Sequence, residues 1–159
     1  MTMRWTIQDD VLMRRLVLSG DITEAADFSF LGALQGAERV AIKLDGVDQI
    51  NSCGVREWIH FITELSESGV PCDLERCSPA FVRQLNMISN FSGAAAVRSV
   101  VAPYYCETCG HQTSRVLELT EGQAPPAIEE RVVCPKCGGE AEFDDLPGTY
   151  LAFLGERVR

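Results

Sequence analysis

An α/β sheet with helices on one face, followed by a small β module stapled by a metal ion, is the fold class this sequence of 159 residues predicts. Three observations carry it. Strand-like runs alternate with amphipathic helical runs through about residue 102, which implies crossover connections and helices stacked on a sheet. Two C-x-x-C-G turns, Cys106-Glu107-Thr108-Cys109-Gly110 and Cys134-Pro135-Lys136-Cys137-Gly138, stand in the remaining third. Finally, a chain of this length can bury one core, or one domain of about 100 residues plus a small module that needs its own staple, and the cysteines favour the second division. The domains are therefore residues 1–102 and 103–159.

The elements follow in order. Residues 5–8 and 11–18 read as a hairpin around Asp9-Asp10, with Val11, Met13 and Leu16-Val17-Leu18 on the second arm and Gly20-Asp21 as its end. Residues 23–35 have helical spacing, Thr23 as cap, and Ala25, Phe28, Leu31 and Leu34 as the inward stripe. Residues 39–44 form the next strand. Beyond it Val55, Trp58, Ile59, Ile62 and Leu65 recur at the spacing of one helical face, while Arg56, Glu57, Glu64 and Glu67 take the other. Asn51 or Ser52 caps this helix, because a short polar side chain there accepts from an unpaired first-turn N–H. Gly69 closes it, and residues 70–76 give another strand. Ser78-Pro79 opens a helix whose buried face holds Phe81, Val82, Leu85 and Ile88. An extended run over residues 94–105 leads into the first cysteine turn.

Two thiolates separated by two residues can meet one ion while backbone N–H groups point at the sulfurs, and the glycine after the second cysteine permits a sharp return. Cys106, Cys109, Cys134 and Cys137 thus form a tetrahedral S₄ set suited to Zn²⁺ or, less often, Fe. Strand-like residues 115–119 and 130–133 lie between the turns, giving a zinc ribbon. Four thiolates leave no open position for water, so the expected ion is structural. The alternatives for these cysteines are disulfides or a redox-active dithiol, but neither turn follows a strand and opens a helix as a thioredoxin-type motif does. His111 reads as a solvated turn residue, His60 as a lone imidazole without a catalytic partner, and Cys72 and Cys77 as core.

Residues 1–102 carry 9 basic and 13 acidic groups and residues 103–159 carry 5 and 10, for a net charge of −9. Neither part offers the Lys/Arg footprint that nucleic acid or an anionic membrane surface requires. No apolar run approaches the roughly 20 residues of a membrane span. Met1-Thr2-Met3-Arg4-Trp5 leads into a strand without the apolar core of a secretory signal, so the expected location is the cytoplasm. In the tail, Leu146, Tyr150, Leu151, Phe153 and Leu154 form an apolar group, of which residues 150–154 are expected to pack back on the ribbon or sheet as a last strand or short helix; the alternative is an anchor for a partner.

Leu18-Ser19-Gly20-Asp21-Ile22, Leu44-Asp45-Gly46-Val47, Ile50-Asn51-Ser52-Cys53-Gly54-Val55, and Cys77-Ser78-Pro79 with Val82 and Leu85 together resemble the STAS domain of bacterial anti-sigma factor antagonists, over about residues 3–102. The resemblance implies a small mixed-sheet α/β domain that binds protein partners. In that family the serine at the corner before this helix is phosphorylated by a kinase that doubles as an anti-sigma factor; the matching position is Ser52. Three acidic positions of the family's switch surface differ, becoming Asn51, Thr23 and Lys43. The functional expectation is a non-enzymatic adaptor that docks a serine kinase, anti-sigma factor or scaffold through Asn51, Ser52, Cys53, Gly54, Arg56 and Glu57. A phosphate on Ser52 would sit at the positive end of a helix dipole. The free thiol of Cys53 at the same helix start is a candidate modifiable group, or simply a small residue in a packed corner. The competing readings are a metal- or thiol-dependent enzyme and, against the charge, a nucleic-acid-binding ribbon.

Overall fold

The computed structural model describes residues 1–10 and 12–157. Among them a five-stranded mixed sheet has the order β1-β2-β3-β4-β5. Its members are β1 (Arg4–Asp9), β2 (Arg14–Ile22), β3 (Val40–Ile50), β4 (Cys72–Glu75) and β5 (Ala96–Val97). β1 runs antiparallel to β2, and the other pairings are parallel. Parallel neighbours require crossovers, which are supplied by α1 (Leu31–Gln35), α2 (Ser52–Glu67) and α3 (Pro79–Met87).

Strand register decides which face the helices cover. Leu16, Ile42, Leu74 and Val97 stand opposite one another across β2 to β5, so their side chains share a face. They join one buried cluster with Trp58, Phe61, Ile62 and Leu65 of α2 and Phe81, Val82 and Leu85 of α3. The expected α2 stripe is thus present with Phe61 added, and that of α3 holds for Phe81, Val82 and Leu85, whereas Ile88 is the extended residue just after the helix, partly buried against the same core as Phe91. Trp58 stacks edge-on against Phe81 with ring centroids 5.1 Å apart. Its indole N–H donates to the Phe91 carbonyl at 2.7 Å, so the one polar atom of this deep side chain is satisfied.

Three expectations are overturned. The strand expected over residues 39–44 runs on as β3 to Ile50, because it stays paired with β2 as far as Ile22. Gly20-Asp21 does not end β2, which continues to Ile22 beside β3 with irregular register. Gly20, at φ +90°, serves close approach: a Cβ there would stand 2.7 Å from the Thr2 carbonyl oxygen. The helix expected over residues 23–35 is confined to α1, Leu31–Gln35. Upstream, Thr23 Oγ1 accepts from the Ala25 N–H at 3.2 Å and Asp27 Oδ1 from the Ser29 N–H at 2.9 Å. These local bonds offer the backbone a turn in place of a helix. Ala25 is exposed, whereas Phe28, Phe30 and Leu34 pack into the core. Val11 lies outside the described residues.

The chain leaves the first sheet at Arg98 and enters a four-stranded antiparallel sheet of order β7-β6-β9-β8. It comprises β6 (Ser99–Cys106), β7 (Gln112–Glu118), β8 (Arg131–Val133) and β9 (Glu140–Phe143). Ala102, Tyr104, Cys106, Val132, Cys134 and Ala141 form a second, smaller core. Residues 150–154 pack back as expected and lead into α4 (Phe153–Arg157), with Tyr150 and Phe153 buried in the first core, while Leu146 stays 68% exposed. Asn86 of α3 holds this segment at two points, donating to the Tyr150 carbonyl at 3.0 Å and accepting from the Phe153 N–H at 2.9 Å. The Tyr150 hydroxyl donates to the Val101 carbonyl at 2.5 Å. No described helix is long and apolar enough to cross a membrane.

Candidate functional site

Two sites are built by this scaffold, a cysteine cluster in the second sheet and an exposed corner at the start of α2. The cysteine turns are near copies of each other. In each, the carbonyl of the first cysteine accepts from the glycine after the second: Gly110 N–H to Cys106 at 2.8 Å, Gly138 N–H to Cys134 at 2.9 Å. The first cysteine's own N–H then donates five residues on, Cys106 to His111 at 3.0 Å and Cys134 to Gly139 at 2.7 Å. Gly110 and Gly138 have φ +75° and +77°, which accounts for glycine at both places.

β6 and β8 deliver the two turns to one point. The four Sγ atoms lie within 4.8 Å of one another, with Cys106 to Cys137 at 3.6 Å and Cys109 to Cys134 at 3.7 Å. A disulfide would need about 2.05 Å. Four sulfurs about 2.3 Å from a central ion stand about 3.8 Å apart at the corners of a tetrahedron. The spacing therefore fits a metal ion and not a cross-link. Backbone N–H groups favour the thiolates. The Cys109 N–H, with help from the Cys137 thiol, brings Cys106 down to about 7 against its burial, and the Cys137 N–H lowers Cys134. The His111 N–H acts on Cys109 in the same sense, but burial and the three neighbouring cysteines carry it up to about 11. Cys106 and Cys134 are buried while Cys137 is exposed. His111 is half-buried and contributes its carbonyl, not its ring, to the first turn.

At the corner, Asn51 is the cap: its Oδ1 accepts from the Gly54 N–H at 2.7 Å. Ser52 is then the first helical residue. Asn51, Ser52, Cys53, Arg56 and Glu57 are all exposed, and Gly54 alone of the expected set is buried. Gly54 is buried because α2 starts against the end of β2. A Cβ on it would fall 1.9 Å from the Ile22 carbonyl oxygen, the same oxygen that accepts the Asn51 N–H at 3.2 Å. The sequence reading missed Glu24, whose carboxylate accepts from the Asn51 side-chain amide at 3.0 Å. That bond, with Glu24's own backbone N–H, holds the carboxyl below its usual range. Twenty-seven residues separate the pair, so no local pattern announces it. His60 is exposed on α2, Cys77 is buried, and burial pushes the Cys72 thiol up to about 12, with Asp73 adding to the effect.

No family model and no curated protein matches this chain. Among solved structures it is similar to one titled "Crystal Structure Analysis of Mglu", with 26% identity and a TM-score of 0.39, over 44% of this chain and 19% of that one. A likeness of that extent carries nothing about function.

Proposed function

We propose that this chain is a non-enzymatic regulatory adaptor, STAS-like over its first domain, which docks a serine kinase, anti-sigma factor or scaffold through residues 51–57. The observation that carries the reading is the corner itself: Ser52, Cys53, Arg56 and Glu57 exposed on the first turns of a 16-residue helix whose start is pinned through Asn51 and Gly54. A rigid, polar helix start of this kind offers a partner a preorganised surface at little entropic cost. Because Asn51 supplies the cap, the Ser52 hydroxyl is not committed to it and is available to a kinase. A phosphate there would gain from the helix dipole and from Arg56, and would be repelled by Glu24, so modification would alter both the charge and the Asn51–Glu24 contact.

The ion assigned to the tetrathiolate is Zn²⁺, which accepts four thiolates in a tetrahedron without a redox role. Cys106, Cys109, Cys134 and Cys137 would hold it as a staple for a module whose own core is six residues.

The test is incubation of the zinc-loaded chain with purified anti-sigma-type serine kinases and ATP, followed by mass spectrometry and a binding assay. The expected result is one phosphate on Ser52, none in Ser52→Ala, and a tenfold or larger change in kinase affinity on modification. Absence of both binding and modification across such kinases, or binding that Arg56→Ala and Glu57→Ala leave unchanged, would refute it.

A further inference from the structure

The face of the five-stranded sheet turned away from the helices concentrates positive charge in an acidic chain. Arg15, Ala41, Asp73 and Ala96 stand opposite one another across β2 to β5, as do Val17, Lys43 and Glu75 across β2 to β4. These residues alternate with the core set, so they share the other face. Arg39 and Arg98 reach Asp73 on it at 2.9 and 3.1 Å, and Lys43 and Arg76 both lie 3.8 Å from Asp45. Arg15 pairs with Glu75 by crossing β3 at Ala41, which is why an alanine on this face is fully covered. Five cations thus face three carboxylates, in a chain whose net charge is −9.

Those cations are fixed but not saturated. Asp45 and Asp73 are each shared by two of them, and the side chains of Arg15, Arg39, Lys43, Arg76 and Arg98 remain 35 to 51% exposed. Guanidinium groups oriented by one carboxylate keep N–H donors for a second. Arg76 is, among the described residues, the one non-glycine at positive φ, 50°, and its N–H donates to Ser99 Oγ at 2.7 Å. That strained backbone sets the guanidinium at the rim of the face. Beyond Gly46 the excess of cations ends: Arg4, opposite Ser19, and Asp48 are both exposed there and Asp21 is paired to the Met1 amine at 2.9 Å, so the charges balance and the cationic area is bounded.

The geometry points to a second docking surface, distinct from residues 51–57, that takes an acidic segment of a partner protein. Four strands at about 4.8 Å spacing make the area about 14 Å across, room for about four extended residues. A nucleic acid fits it less well. A phosphate polymer outruns so small a patch into the acidic remainder of the chain, and among the described residues the face presents no aromatic ring on which a base could stack.

The probe is a fluorescein-labelled peptide of four consecutive glutamates flanked by glycine and serine, titrated into the full zinc-loaded chain at low salt. The test variant is Lys43→Gln with Arg76→Gly. It removes two exposed cations, leaves the pairs of Asp73 intact, and puts glycine at the positive φ. Saturable binding that weakens with salt, falls fivefold or more in this variant and is unchanged in Ser52→Ala is the expected result. In the wild type, amide shifts on peptide addition should gather at Lys43, Asp73, Glu75 and Arg76. Absence of saturable binding, equal binding by the variant, or shifts confined to residues 51–57 would overturn the proposal. So would a twelve-nucleotide thymidine strand binding as tightly as the peptide. A salt-sensitive dimer in sedimentation that the variant abolishes would assign the face to a second copy and overturn the choice of occupant.

Discussion

Replacing Gly54 with alanine tests how the corner is built. The added Cβ would stand 1.9 Å from the Ile22 carbonyl oxygen and 3.0 Å from the Thr23 nitrogen, both backbone atoms that cannot rotate away. Ordinary contact begins near 3.4 Å, so the helix start must retreat by about 1.5 Å. That retreat strains or breaks the bond from the Asn51 N–H to Ile22 and the Asn51 cap on residue 54. A buried hydrogen bond and a cap contribute about 1 kcal/mol each, and overpacking adds about 1 to 3. Alanine returns up to about 1 kcal/mol through helix propensity and a less flexible unfolded chain. The net loss is about 3 kcal/mol, which for a chain of this size lowers Tm by about 6 to 12 °C. Circular-dichroism melts of the zinc-loaded chain measure it, with Gly32→Ala as control, since a Cβ at Gly32 meets nothing within 4 Å. The control should match or exceed wild type. A Gly54→Ala protein melting within about 2 °C of wild type would refute the reasoning.

Other outcomes follow from the same geometry. Asn86→Ala removes both bonds that hold the tail to α3; urea titration should show a loss of about 1 to 2 kcal/mol and proteolysis should cut first near residue 150. Cys134→Ser, or a strong chelator, should release the ion and unfold the second sheet, read as loss of one bound metal per chain and of amide protection in β8 and β9. Burial raises the Cys72 thiol pKa from 9.0 to about 12. Folding therefore favours the neutral thiol, and its contribution to stability is complete below about pH 9 and is lost as pH rises toward about 12. Melts across that window should fall less steeply in Cys72→Ala than in wild type.

What the sequence made legible is what local chemistry decides. The glycine and cysteine spacing of the two cysteine turns, the Ser78 cap, the restriction of the other cap to Asn51 or Ser52, and the α2 and α3 stripes apart from Ile88 each reside within a few residues, and the structure carries them, with Asn51 taking the cap. The failures share a different cause. Gly20 reads as a strand end because its tight contact with Thr2 is tertiary, and residues 23–30 keep helical spacing while Thr23 and Asp27 bind their own backbone instead. Glu24 beside Asn51, and the cation array on the open sheet face, arise from pairings between strands and loops far apart in sequence. The specific STAS-like reading belongs to ordered motifs, and the mixed sheet with its helices is compatible with it without naming it.

A closed tetrathiolate ion that staples the second sheet, with recognition left to the first domain, is the central claim. X-ray absorption at the metal edge of the purified chain tests this most directly. It should show zinc with four sulfur neighbours at about 2.3 Å and no oxygen or nitrogen in the shell. Three sulfurs with one oxygen would mean an open position and a metal-dependent enzyme, contradicting the adaptor.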